Sequence, residues 1–134
     1  MQPPFQIQRL DHVVVRSDNI ERLLPFYLAL GLTIERDLRG RFELVQLRAG
    51  DSIVDLVETS APVGEAGSGN MDHFALRVDP YDSDALIAFC DAHNIAWSQP
   101  ANLLYGADGY GPALYLTDPD GNRVELKGPP ESKS

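Results

Sequence analysis

Cysteine, histidine and positive charge are all scarce in this chain of 134 residues. Cys90 is the single cysteine, so no intrachain disulfide can form, which fits a reducing compartment. Eleven basic residues face twenty acidic ones, a net charge of −9 that argues against nucleic acid or an anionic membrane surface as partner. No apolar run approaches the ~20 residues that a membrane-crossing helix needs. Met1-Gln2-Pro3-Pro4 lacks a charged leader followed by an apolar stretch, so no signal peptide is expected and a cytoplasmic location is. What is present suffices for a core: 43% of the residues are hydrophobic.

The pattern along the chain reads as one supersecondary unit used twice. Leu10-Asp11-His12-Val13-Val14-Val15-Arg16 is β-branched and predicts a strand. Ser17-Asp18-Asn19 offers an N-cap, with Glu21 in capping-box spacing to Asp18. Ile20, Leu23, Leu24, Tyr27, Leu28 and Leu30 then follow helical spacing, Pro25 kinks the pattern, and Gly31 closes it. Residues 32–38, 42–47 and 52–58 read as strands. Residues 59–70 are rich in glycine, serine, alanine and proline and read as a flexible linker.

After the linker the order returns. Residues 72–78 predict a strand, 82–93 a helix and 95–98 a strand, while 101–112 reads as a glycine-rich loop able to act as a lid. Residues 114–126 read as a hairpin turning at Asp118-Pro119-Asp120-Gly121. The fold class predicted is α+β: two tandem βαβββ modules, one over about 8–58 and one over about 71–127, within a single domain, followed by a frayed tail at 128–134. Leu10-Asp11-His12 aligns with Met71-Asp72-His73, and an arginine follows each histidine by four residues. Two such copies imply a pseudo-two-fold arrangement.

Strand alternation says where these side chains point. The helix of each module must cover the more apolar face, which leaves His12 and Arg16, and His73 and Arg77, on the uncovered concave face. Asp55 and Glu125 take that face on later strands of their own modules. Two imidazoles and two carboxylates are a ligand set for Zn, Ni, Co, Mn or Fe(II). A lone strand histidine is more often an ordinary packed residue. Two histidines at equivalent repeat positions, each matched by an acid, reverse those odds.

These residues, with Phe26-Tyr27, Leu30-Gly31-Leu32, Asp72-His73-Phe74-Ala75-Leu76 and Asp118-Pro119-Asp120-Gly121-Asn122-Arg123-Val124-Glu125-Leu126, resemble the vicinal oxygen chelate superfamily. It is also called the glyoxalase/bleomycin-resistance/dioxygenase family. The resemblance runs from Leu10 to Lys127 and implies half-barrel sheets around a divalent metal, in a homodimer acting on a small molecule. By likeness to glyoxalase I it implies His12, Asp55, His73 and Glu125 as metal ligands. Glu125 would be the catalytic base of an enediolate lyase or isomerase reaction on a vicinal-oxygen substrate. Arg16, Arg77 and Tyr115 would bind substrate, with glutathione as the implied co-substrate. Aspartate stands at 55 where the family usually has glutamate, and Thr59 where glutathione-binding relatives have asparagine.

The same resemblance leaves three other activities open. An extradiol-type dioxygenase would need Fe(II) or Mn(II) on His12, His73 and Glu125, with Tyr115 beside them. A fosfomycin-type thiol transferase would use basic residues beyond Glu125, here Lys127 and Lys133. A metal-free antibiotic-binding protein would use the same fold as an apolar cleft. Cys90 and Trp97 read as structural, and His93 as a helix cap.

Overall fold

The computed structural model of the protein describes residues 1–60, 70–98, 100–117, 119 and 122–131. Most of the linker and most of the Asp118-Pro119-Asp120-Gly121 turn expected from the sequence lie outside the described residues. The element order is β1 (Gln6–Ser17), α1 (Ile20–Ala29), β2 (Thr33–Asp37), β3 (Leu44–Ala49), β4 (Ser52–Glu58), β5 (Met71–Asp79), α2 (Ser83–Ala92), β6 (Ala96–Trp97), β7 (Ala101–Gly106), β8 (Gly109–Thr117) and β9 (Arg123–Lys127). Neither helix is long and apolar enough to cross a membrane.

Two compact units follow: His12–Asp72, and Met1–Asp11 together with His73–Ser134. In the first, β1 pairs in parallel with β4, and β4, β3 and β2 continue as antiparallel neighbours. Helix α1 covers one face of this curled sheet. Ile20, Val45, Leu47 and Leu56 are buried there, with Leu23, Leu24, Tyr27 and Val54 packed around them. Each such leucine or isoleucine contributes roughly 1.5–3 kcal/mol by leaving water. Gly31 closes α1 with φ +105, its N–H reaching Leu28 O at 3.0 Å while Leu32 N–H reaches Tyr27 O at 3.2 Å. That pair of bonds, across a residue in a left-handed conformation, is why glycine stands there.

The start of α1 departs from the capping box expected from Asp18 and Glu21. Asn19 makes no side-chain cap bond. Instead Glu58, from β4, accepts the Ile20 N–H at 3.0 Å, and Ser17 Oγ accepts the Asn19 N–H at 3.0 Å. Asp18 turns aside to pair with Arg22 four residues on. A strand-borne carboxylate thus replaces the local cap, and the sequence spacing alone could not show that strand nearby.

In the second unit β5 pairs in parallel with β9, and β9 pairs antiparallel with β8. Helix α2 is capped by Asp82, whose carboxylate accepts the Ala85 N–H at 3.2 Å. It buries Leu86 and Cys90 against Val78, Leu114 and Leu126. The expected glycine-rich lid at 101–112 is instead a β-hairpin: β7 lies against β8, with Gly106 opposite Gly109 and Ala107-Asp108 as the turn. Gly109, at φ +118, supplies the conformation that so tight a turn requires. The short β6 pairs with Thr117 and Leu116, farther along the same β8, so β6 and β7 lie on successive stretches of one strand. The equivalent strand in the first unit, β2, is a single piece. Trp97 donates from its indole N–H to Asp91 at 3.0 Å, and His93 is the C-cap residue of α2.

Two buried charged side chains pin the hairpin through its backbone. Asp11 is 1% exposed and accepts the Ala107 N–H at 2.9 Å, and Lys127 is 2% exposed and donates to Gly111 O at 2.8 Å. A Cβ on Gly106 would lie 2.6 Å from Asp11 Oδ1 and 2.8 Å from Lys127 Cε. Gly106→Ala should therefore cost roughly 1–3 kcal/mol, read by chemical denaturation. An unchanged midpoint and slope would show that this contact has room to give.

Candidate metal centre

The second unit places three of the predicted residues together. His73 lies on β5, Glu125 on β9 and Tyr115 on β8. In the parallel β5–β9 ladder Glu125 is level with Ala75, two residues beyond His73. Both side chains take the sheet face opposite α2, because Leu76 and Leu126 occupy the helix side. His73 Nε2 and Glu125 Oε1 are 3.0 Å apart, and the Glu125 residue is 1% exposed. Tyr115 is directly opposite Glu125 in the β8–β9 ladder. Its ring meets the His73 ring edge-on with centroids 5.3 Å apart, and the Arg123 guanidinium stands 4.4 Å above it.

The first unit repeats this register. In the parallel β1–β4 ladder Asp55 is level with Val14, two residues beyond His12. His12 and Asp55 are both buried, at 6% and 7% exposure. Val54 packs on the helix side with Leu56, as the alternation requires. Gln46 is directly opposite Asp55, as Tyr115 is opposite Glu125, and takes the Arg36 guanidinium on its amide oxygen. The two histidine–acid pairs are therefore equivalent in strand, direction and offset, each within its own unit.

The two predicted arginines differ in circumstance. Arg16 lies on β1, and its backbone N–H reaches Asn70 O. Arg77 forms an ion pair with Asp108, and so does Arg9. Arg9, Asp108 and Arg123 carry no signal in the sequence pattern that marks them as site residues. The regular β9 alternation does put Arg123 and Lys127 on the Glu125 face, but pattern alone could not say that Lys127 is buried.

Burial shapes the electrostatics around Glu125. Lys127 lies two residues on, and its ammonium is held below the usual lysine range first by desolvation and also by the Arg77 charge. Glu125, Asp11 and Glu131 act in the other direction. The Tyr81 hydroxyl is buried and meets no partner among the described residues. Burial, seconded by the negative charge of Glu125, pushes that phenol up from 10.0 to about 12.

The donors fit a divalent ion. Two imidazoles and carboxylates buried in strands are the chemistry such an ion selects. Two donors each ~2.1 Å from one ion at right angles lie ~3.0 Å apart, and His73 Nε2 and Glu125 Oε1 have that separation.

Comparison with known proteins bears on the fold and the family. The family model for the glyoxalase/bleomycin resistance protein/dioxygenase superfamily matches residues 9–126. The chain is similar in structure to a hypothetical protein of Bacillus halodurans C-125, at 19% identity and a TM-score of 0.64, covering 98% of this chain and 99% of that one. It is similar to methylmalonyl-CoA epimerase of Mycobacterium tuberculosis, at 15% identity and a TM-score of 0.66, covering 98% and 94%. It is also similar to an extradiol ring-cleaving dioxygenase of B. fuscum, at 19% identity and a TM-score of 0.69; there it covers 98% of this chain but 35% of that one.

The buried phenol gives a direct prediction. Between pH ~10 and about 12 the unfolded chain releases a proton that folded Tyr81 retains, so stability falls as pH rises through that window. Absorbance titration should show a late-ionising phenol near pH 12, and Tyr81→Phe should remove it and flatten that part of the stability curve. A wild-type titration lacking that step would contradict the burial of the hydroxyl.

Proposed function

Because the chain belongs to the glyoxalase/bleomycin resistance protein/dioxygenase superfamily, we propose that it is a metal-dependent enzyme of glyoxalase I type, moving a proton on a small substrate with adjacent oxygens. In this reading His12, Asp55, His73 and Glu125 are the ligands that likeness to glyoxalase I implies. The observation that carries it is the buried His73–Glu125 pair, with His12 and Asp55 in the same register in the other unit.

A divalent ion bound there would act as a Lewis acid on a substrate carbonyl and make the neighbouring C–H acidic. Glu125 is the proton carrier. A carboxylate buried to 1% exposure is shielded from water, and one of its oxygens meets the His73 imidazole at 3.0 Å. Tyr115 limits rotation of that imidazole by packing against its ring, and Arg123 in turn sits over Tyr115. Arg16 is the candidate for the anionic part of a thiol co-substrate such as glutathione. Assembly as a homodimer and a cytoplasmic setting belong to the same proposal.

Extradiol-type ring cleavage is the second reading. One observation favours it: Tyr115 lies against His73, opposite Glu125 on the neighbouring strand.

Elemental analysis of purified protein should find about one metal per chain, and His73→Ala should lose it. Glu125→Gln, which keeps an oxygen donor but removes the base, should lower kcat ~10²–10⁴-fold. Isomerisation of methylglyoxal hemithioacetal supports the glyoxalase reading, and oxygen uptake with catechols supports the alternative. Full metal and activity retained in His73→Ala would refute the ligand assignment.

A further inference from the structure

Asp108 sits on a two-residue turn and accepts two guanidiniums at a single oxygen: Arg77 through Nη1 and Arg9 through Nη2 both reach Oδ2. Arg77 uses only part of its fork in this contact. Its Nε is buried and has no hydrogen-bond partner among the described residues. A guanidinium gives its strongest bonds when Nε and Nη meet two oxygens of one anion, and a carboxylate held through one oxygen leaves that capacity unused.

The surroundings point the same way. The Arg77 side chain is 11% exposed, while that of Asp108 is 29% exposed. The cation is therefore built into the sheet and the anion is the outlying partner. Arg77 shares its face of β5 with His73, four residues away, a distance of about 13 Å along a strand. The turn that carries Asp108 is anchored on either side by Asp11 and Lys127, while its tip is held through its ion pairs.

We infer that Arg77 and Arg9 form a seat for an oxyanion, a carboxylate or phosphate on the far end of the substrate, and that Asp108 is its resident placeholder. The inference rests on the proposed function only for the idea that the substrate's other end lies near His73. It gives the substrate class a dimension: a chelating end and an anionic end about 10 Å or more apart, within the ~13 Å that separates His73 from Arg77 along the strand. The tethered Asp108 acts as an intramolecular competitor at high effective concentration. The incoming anion displaces it and gains the Nε contact that Asp108 does not make. No covalent step is involved.

The test needs neither metal nor turnover, so it can fail independently of the proposed reaction. Inorganic phosphate and malonate are each titrated calorimetrically into the full chain, with EDTA present, at low ionic strength. Asp108→Asn should bind one or both at least about tenfold tighter than the wild type. Adding Arg77→Gln should abolish that gain, and Arg77→Lys should lose most of it, because lysine keeps the charge without the fork. A gain with phosphate alone identifies a phosphate end, a gain with malonate alone a carboxylate end, and either supports the seat. Asp108→Ser repeats the measurement should the asparagine variant fail to fold. No tightening with either Asp108 variant, or a gain that survives Arg77→Gln, would overturn the inference.

Discussion

The structure depends on one constraint: a carboxylate buried to 1% exposure in a strand must be met by a polar partner. Glu125 is met by His73 at 3.0 Å. Removing His73 would take a 3.0 Å polar contact from a buried carboxylate, a loss of roughly 1–3 kcal/mol. The parallel β5–β9 ladder sets this meeting, since a one-residue slip would turn Glu125 into the α2 core and Leu126 out of it. Register, core packing and chemistry are thus one requirement.

The same logic holds in the first unit, where His12 and Asp55 are buried at the equivalent offset in the β1–β4 ladder. Each unit hides its apolar residues under one helix and gives its opposite face to polar groups. Duplication is therefore more than a feature of the sequence. It delivers two histidine–acid pairs by one construction, one in each unit.

Much of this was legible because period-two alternation is a strong signal. The helix-side placement of Val54, Leu56 and Leu126 follows from it, as does the shared face of His73, Glu125 and Tyr115. The 101–112 segment is not legible, because its three glycines read as loop while cross-strand pairing with β8 makes it a hairpin. The cap of α1 was missed for a similar reason: Glu58 is 38 residues from Ile20, and local spacing favoured Asp18 and Glu21. Asp11, Lys127 and Asp108 owe their roles to burial and to partners distant in the chain, which alternation does not encode.

A metal ion held by the His73–Glu125 pair can be seen directly. The most direct measurement is a crystal structure of the metal-loaded protein with anomalous data on both sides of the metal's absorption edge. One anomalous peak per chain is expected, within ~2.0–2.2 Å of His73 Nε2 and a Glu125 oxygen. A peak that misses His73 and Glu125, or no peak in protein that carries stoichiometric metal, would contradict it.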